Sequence, residues 1–229
     1  MKNKKDASQN STVFWKMAKD YVDHRLPEIR KVSPNTVKAY RDSLNKYIDY
    51  LEAEKNIRRT DISFSDFNKS NIIDYLDWML NVRKYAYKTC NLRITAIHAL
   101  LEYAANENST DLMSIYLDAY SVKGLKVTAN PVEYFEEHQM KALLAAPNEK
   151  TRTGRRNQMM LILYYDTAAR ISELLDMKLS QLHLDAHIPY LTILGKGRKY
   201  RNIPLMDKTM RHLKSYLYIF HKDASVDFP

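Results

Sequence analysis

The sequence is poor in several residues and patterns on which whole classes of protein depend. Cysteine occurs once, at Cys90, which excludes a disulfide-stabilised fold within the chain. Cys90 lies in an apolar helical pattern and is predicted to be a small core residue rather than a reactive thiol. No run of about 18 apolar residues occurs, as a transmembrane helix would require, and the N-terminal lysines precede no apolar segment of a secretory signal. We therefore expect a soluble protein of a reducing cytoplasm, with no membrane partner.

Acidic residues are outnumbered by basic ones. The chain has 36 Lys and Arg against 27 Asp and Glu, a formal net charge of +9 and a pI near 9.4. This balance favours an anionic partner such as nucleic acid, although many basic proteins bind none. The length of 229 residues is enough for two ordinary domains.

The N-terminal half has helical periodicity. Ser33 and Pro34 form an N-cap followed by proline at the first helical position. Beyond them, apolar residues recur at spacings of three and four, which is typical of one helix face turned to a core. The pattern predicts four helices, at about Val13–Arg25, Pro34–Glu54, Ser70–Val82 and Tyr87–Asn106, with a shorter one near Asp111–Tyr120.

The second half mixes helical and strand patterns. Residues 151–156 are polar and basic and predict a loop before an apolar helix at Asn157–Tyr165, and the short runs at Tyr190–Leu194 and Tyr200–Pro204 predict a β-hairpin with a basic tip. Further segments are a short helix at Glu136–Ala145, a third strand near Leu182–Leu184 and a last helix at Met206–Phe220. In domain terms we predict a flexible basic arm at residues 1–11, a helical domain at 12–123, a linker at 124–131 and a second domain at 132–229.

Two segments of the second half carry chemistry. In the first, Thr167-Ala168-Ala169-Arg170 leads into Ile171-Ser172-Glu173, so that an arginine and a glutamate stand three residues apart at a helix start. In the second, Lys196 lies between two of the four glycines of the chain, Gly195 and Gly197. Taken singly, Arg-x-x-Glu is an ordinary helical ion pair and Gly-Lys-Gly an ordinary turn. Their order, the helix between them and the Arg-Asn-Ile-Pro-Leu that follows are jointly specific.

Together the two segments resemble the catalytic domain of the tyrosine recombinases, the phage integrase family. The resemblance covers about residues 12–220. It implies a mainly α fold, with an N-terminal four- or five-helix core-binding (SAM-like) bundle and part of an α+β integrase catalytic domain with a small antiparallel sheet. It also implies DNA strand transfer through a 3′-phosphotyrosyl bond.

The resemblance assigns three residues to that chemistry. Arg170 matches the first catalytic arginine, and its guanidinium can clamp two phosphate oxygens in the transition state. Lys196 matches the hairpin lysine that gives a proton to the departing 5′ oxygen. Glu173 matches the acidic residue that supports the arginine. The family needs no metal, so we predict no metal site and no cofactor.

The chain departs from the family pattern at two points. Ala168 stands where the family has glycine in Thr-Gly-x-Arg, which would matter if that position requires a positive φ. None of the seven histidines has an arginine three residues later, and the nucleophilic tyrosine of the family has no match. We therefore expect a C-terminally truncated recombinase that binds DNA but does not cleave it.

Basic and polar residues on several elements are candidate DNA contacts. The family directs its second and fourth helices to the major groove, although any bundle helix has a solvated polar face. The loop and the hairpin add phosphate contacts by charge alone. The predicted contacts are Lys38, Arg41, Lys84, Lys88, Asn91, Thr95, Arg152, Arg155, Arg156, Arg198, Lys199 and Arg201.

The expected partner is double-stranded DNA. The full-length enzyme is expected to act as a homotetramer on DNA, and this chain by itself as a monomer. One alternative is a catalytically inactive DNA-binding regulator of recombination sites, which an immediate stop codon after Pro229 would support. Another is a helical interaction protein indifferent to DNA, which predicts no salt-dependent retention on duplex DNA.

Overall fold

The computed structural model describes residues 4–107, 110–128, 131–195 and 199–222, with the side chains of residues 4–8, 110 and 111 left aside. The chain separates into two compact units, residues 1–130 and 131–229. Each unit has its own buried apolar cluster. The fold is mainly helical with one small antiparallel sheet, as the sequence predicted.

The first unit is a helical bundle. Ser33 caps the second helix by accepting a hydrogen bond from the Thr36 amide, and Pro34 takes the first position, as predicted. The helices are α1 (Lys4–Asp20, continued by a π-helical segment at Tyr21–Ile29), α2 (Pro34–Glu54), α3 (Lys69–Asn81), α4 (Tyr87–Glu107) and α5 (Thr110–Tyr120), with 3₁₀ turns at Arg59–Asp61 and Phe64–Phe67.

Aromatic side chains dominate the core of this unit. Tyr47 is fully buried, with Phe67 and Tyr75 packed edge-on against it at centroid distances of 4.9 and 5.0 Å. Its hydroxyl donates to the Asp66 carbonyl at 2.8 Å, so the polar tip is satisfied inside the apolar cluster. Cys90 is also fully buried, as predicted, and burial raises the pKa of its thiol.

The structure corrects the prediction of a flexible N-terminal arm. Residues 1–11 were expected to be flexible, but α1 begins at Lys4. Ser11 is buried and its hydroxyl donates to the Thr60 carbonyl at 2.6 Å, which fixes this end of the helix to the bundle. The segment is polar, so its sequence has no apolar periodicity that would predict a helix. The apolar contacts of α1 begin only at Phe14 and Met17.

The second unit combines helices with a three-stranded sheet. Strands β1 (Leu182–His183), β2 (Tyr190–Leu194) and β3 (Tyr200–Pro204) pair antiparallel in that order. Leu191 and Ile193 of β2 are buried and form the unit's core with Met159, Leu163 and Leu213. The helices are α6 (Glu137–Ala145), α7 (Arg152–Thr167), α8 (Ile171–Leu175) and α9 (Asp207–Phe220), with a 3₁₀ turn at Leu179–Gln181.

The loop predicted at residues 151–156 is wrong. Thr151 is the N-cap of α7 and its hydroxyl accepts from the Gly154 amide at 3.0 Å, so the three arginines of this segment lie on the first turns of a helix. Gly154 is buried, and a Cβ there would lie 1.9 Å from the Asn148 carbonyl oxygen. The glycine is present because another backbone passes close to the helix, rather than because the chain turns.

No helix in the described ranges combines the length and the apolar character needed to cross a membrane.

Candidate active site

The site in the second unit is built on the short helix α8. Helix α7 ends at Ala168, which has a left-handed backbone conformation (φ 48°, ψ 28°) and whose amide donates to the Tyr164 carbonyl at 3.0 Å. This is the position where the resemblance implied glycine. The left-handed residue ends α7 and lets a second helix start after two more residues, with Arg170 as its N-cap residue.

Glu173 organises the start of α8. Its Oε2 accepts from the Arg170 backbone amide at 2.8 Å, which satisfies a donor that the helix itself leaves open. Its Oε1 accepts from Arg170 Nη1 at 2.7 Å. The predicted Arg170–Glu173 pair is therefore present, and one carboxylate holds both the backbone and the side chain of the arginine.

The same carboxylate binds a second arginine. Arg201 Nη2 donates to Oε2 of Glu173 at 2.7 Å, and Arg201 Nη1 donates to Oε1 at 3.3 Å. The Glu173 side chain is only 6% exposed, whereas that of Arg170 is 61% exposed and that of Arg201 is 38% exposed. Hydrogen bonds from Arg201 and then from the Arg170 amide lower the pKa of Glu173 to about 2. The carboxylate is anionic at any working pH, and the Arg170 guanidinium extends from it towards solvent.

Of the two hairpin residues that frame Lys196, Gly195 has an intramolecular role. A Cβ on Gly195 would lie 2.8 Å from Arg201 Nη1 and 3.6 Å from Glu173 Oε1. The glycine makes room here for the arginine that binds Glu173. Lys196 and Arg198 lie outside the described residues, between Gly195 and Lys199, where the Gly195 amide donates to the Lys199 carbonyl at 2.8 Å.

Sequence reasoning missed Arg201 as a partner of Glu173, although a signal was available. In β3, Arg201 and Ile203 are half-buried and alternate with exposed neighbours. Arg201 pairs across the sheet with Ile193, which is buried. A charged residue on the inward face of a strand needs a partner inside the domain.

Two predicted DNA contacts are occupied within the first unit. The Asn91 side chain donates to the Leu125 carbonyl at 2.9 Å and accepts from the Leu125 amide at 2.7 Å, so it fixes the segment after α5 to α4. Arg41 is paired with Asp23 at 2.8 Å. Both side chains are already bonded within the unit, which removes Asn91 and Arg41 from the contacts that we propose below.

The other candidates of the first unit are exposed and lie on α2, on α4 and in the turn before α4. Lys38 lies on α2 and Lys88 on the first turn of α4. Lys84 lies in the turn before α4 with a positive φ of 54°. Thr95 is exposed on α4 and its hydroxyl donates to the Asn91 carbonyl at 2.8 Å.

The remaining candidates of the second unit lie on α7 and β3. Arg152 stacks over the Phe220 ring at 4.8 Å, and Arg155 donates to the Glu149 carbonyl at 2.6 Å. Arg156 donates to the side chain of its neighbour Asn157 at 3.3 Å. Lys199, like all three of these arginines, is exposed.

Among the side chains that the structure describes, none form a group of three or more His, Cys, Asp or Glu placed to hold a metal ion. The chemistry available is that of fixed positive charge: one exposed guanidinium, held by a carboxylate whose oxygens are all engaged, can bind the paired oxygens of a phosphate.

Comparisons with known proteins place the chain. Residues 133–227 match the model of the phage integrase family and residues 19–108 match that of the phage integrase N-terminal SAM-like domain. The protein y4rC of Sinorhizobium fredii is 30% identical over 196 residues, which cover 84% of this chain and 58% of that protein. Tyrosine recombinase XerD of Staphylococcus saprophyticus is 30% identical over 193 residues, covering 81% and 59%.

The fold is similar to that of a solved recombinase structure. The structure of the XerH site-specific recombinase bound to its palindromic difH substrate superposes with a TM-score of 0.60 at 17% identity, covering 82% of this chain and 54% of that one. The chain therefore spans somewhat more than half the length of these relatives. With two family models matched in order along its two units, the chain belongs to the tyrosine recombinase, or phage integrase, family.

Proposed function

We propose that this chain is the DNA-binding and phosphate-binding part of a site-specific DNA recombinase, which exchanges strands by transesterification through a 3′-phosphotyrosyl intermediate. The observation that carries the proposal is the presentation of Arg170. Its backbone amide and guanidinium are both fixed by Glu173, and its side chain remains 61% exposed at the start of a helix. Family membership supplies the reaction class to which such an arginine belongs.

In this proposal each residue has one task. Arg170 donates paired hydrogen bonds to the non-bridging oxygens of the scissile phosphate, where negative charge develops in the transition state. Lys196, carried by the connection between β2 and β3, protonates the departing 5′ oxygen. Glu173 contacts neither the non-bridging oxygens nor the departing 5′ oxygen. Its role is to orient Arg170.

We further propose that these 229 residues bind DNA without cutting it. The sequence contains no His-x-x-Arg, so the second arginine and the histidine that the family uses beside the phosphate have no counterpart in it. The rival, an inactive regulator that occupies recombination sites, makes the same prediction for this chain. The two differ only in whether a longer form of the protein cleaves.

The DNA partner follows from charge and exposure. We propose that the exposed basic residues of both units contact phosphates: Lys38, Lys84, Lys88 and Lys199 with Arg152, Arg155 and Arg156, and Lys196 and Arg198 between the strands.

For assembly we propose a monomer for this chain and a tetramer on two DNA sites for a complete enzyme. Light scattering of the chain with and without duplex DNA tests the first part.

The proposal is tested by binding and cleavage assays on one preparation. The chain is titrated into a labelled mixed-sequence duplex at several salt concentrations, and a nicked duplex that traps covalent intermediates is then incubated with it. We expect binding that weakens steeply as salt rises, since phosphate contacts release counterions, and no covalent adduct. Retention that does not respond to salt, or no retention, contradicts the DNA proposal. A trapped protein–DNA adduct contradicts the absence of cleavage.

A further inference from the structure

The strand β3 contains a charged residue where its alternation calls for an apolar one. Arg201 is half-buried on the face that also carries Ile203, while its neighbours Tyr200 and Asn202 are exposed. An arginine in this orientation cannot reach a DNA backbone as freely as the exposed basic residues around it. Its guanidinium is directed to Glu173 instead, on an element 28 residues earlier in the chain.

The geometry at Glu173 joins two parts of the chain through one carboxylate. Oε1 accepts from the guanidinium of Arg170 and from that of Arg201, at 2.7 and 3.3 Å, and Oε2 accepts from the Arg170 amide and from Arg201, at 2.8 and 2.7 Å. A planar guanidinium bound through two nitrogens fixes direction as well as distance. The position of β3 therefore determines the orientation of the carboxylate that holds Arg170.

Gly195 is part of the same arrangement. It directly follows β2, and its amide donates to the Lys199 carbonyl at 2.8 Å. A Cβ at this position would lie 2.8 Å from Nη1 of Arg201, so the glycine leaves space for the guanidinium. A guanidinium held by two hydrogen bonds cannot swing aside without losing one of them. The residue directly before Lys196 is thus adapted to the Arg201–Glu173 contact.

From these contacts we propose that Arg201 is a positioning residue: through Glu173 it fixes the base of the lysine-bearing hairpin against the amide and guanidinium of Arg170. The inference rests on the proposed function in taking Arg170 as the residue that binds the scissile phosphate and Lys196 as the proton donor. It replaces the expectation that Arg201 itself contacts a phosphate. The two roles predict different salt dependence of DNA binding. They also predict different hydrogen-exchange rates in the protein without DNA.

Hydrogen exchange of the unbound chain tests the positioning directly. The probes are the Arg170 amide, bonded to Glu173, and the Gly195 amide, bonded to Lys199. In Arg201→Ala we expect both amides to exchange faster by on the order of tenfold, because loss of a charge-assisted hydrogen bond loosens both ends of the contact. Gly195→Ala should show the same pattern without any change of charge, and Arg201→Lys a smaller one. Arg211→Ala, which removes an exposed arginine of α9, is the matched control and should leave both amides unchanged.

Salt titration of DNA binding separates positioning from direct contact. A phosphate contact contributes about 0.9 to the slope of log affinity against log salt. We expect Arg201→Ala and Gly195→Ala to weaken binding with the slope unchanged, and Arg201→Ala combined with Glu173→Gln to cost no more than either change alone. A slope reduced by about 0.9 in Arg201→Ala, with both amides unaffected, would overturn the proposal. If the unmodified chain does not bind DNA, the proposed function fails, whereas the exchange result still decides the role of Arg201.

Discussion

At the residue scale, Ala168 shows where this chain departs from its family at a cost. A left-handed φ brings the Cβ of an ordinary residue close to the following carbonyl, which costs roughly 1–2 kcal/mol, and glycine avoids it. The sequence alone could state the condition, that alanine matters if the position requires a positive φ. Only the structure, with φ at 48°, shows that the condition is met.

The expected effect of Ala168→Gly is a more stable second unit. Relief of the left-handed strain exceeds the extra freedom that glycine gives the unfolded chain, so the free energy of unfolding should rise by about 0.5–1 kcal/mol. Urea unfolding followed by far-UV circular dichroism measures it. Ala142→Gly, on an exposed position of α6, makes the same chemical change in a right-handed helix and should lose about 1 kcal/mol. Equal losses in both variants would contradict the strain argument.

Glu173 gives the site a defined response to pH. Its pKa falls from an ordinary value of 4.5 to about 2 in the folded protein. Between these values the unfolded state binds more protons than the folded state, so the contribution of Glu173 to stability is complete above the upper value and is lost as pH falls towards the lower one.

Glu173→Gln tests this assignment, because glutamine keeps the shape and loses the charge. The melting temperature of the variant should lie below that of the unmodified chain at neutral pH, and the difference should shrink as pH falls from 4.5 to about 2. Thermal melts across that window measure it, with Glu137→Gln on the exposed start of α6 as the matched control. A difference that stays constant with pH would show that the loss comes from packing rather than from charge.

The residues that the sequence could and could not predict differ in how local their partners are. Arg170 and Glu173 are three residues apart at a helix start, and the pattern alone predicts their contact. Asn91 was assigned to DNA, yet its partner Leu125 lies 34 residues away in a segment without periodicity. No local pattern indicates such a contact.

At the element scale, prediction succeeded where periodicity was long. Helices α2, α3, α4 and α9 and both long strands were predicted within a few residues of their observed bounds. The errors lie at α1 and at the start of α7, where polar residues or glycine were interpreted as flexible. Both segments are helical because a backbone or side chain elsewhere in their unit holds them, through Ser11 in one case and Asn148 in the other.

Gly154→Ala tests this account of the α7 start. Alanine is the better helix former, so a purely local view predicts a gain of about 1 kcal/mol. The new Cβ would instead meet the Asn148 carbonyl at 1.9 Å, and relieving the contact displaces the Thr151 cap. We expect a net loss of about 1–3 kcal/mol in urea unfolding. Thr153→Ala, at an exposed neighbour on the same turn, should change little, and a gain in Gly154→Ala would contradict the packing argument.

At the scale of the whole molecule, net charge is a weak guide to which residues meet DNA. The chain carries +9, but many of its basic side chains are already paired: Arg41 with Asp23, Lys55 with Asp74 and Arg201 with Glu173. A paired charge releases fewer counterions on binding than an unpaired one. The distribution of ion pairs, which composition does not contain, should therefore decide the salt dependence.

Three lysines of the first unit differ in their ion pairing. Lys38 and Lys88 are exposed, and neither forms an ion pair with a side chain in the described part of the chain. Lys55, in contrast, lies 2.5 Å from Asp74. Lys38→Ala and Lys88→Ala should each reduce the slope of log affinity against log salt by about 0.9, and their effects should add because the residues lie on different helices. Lys55→Ala removes the same formal charge and should leave the slope unchanged. Equal slopes in all three variants, measured on one mixed-sequence duplex, would mean that overall charge rather than a defined face of the bundle binds the DNA.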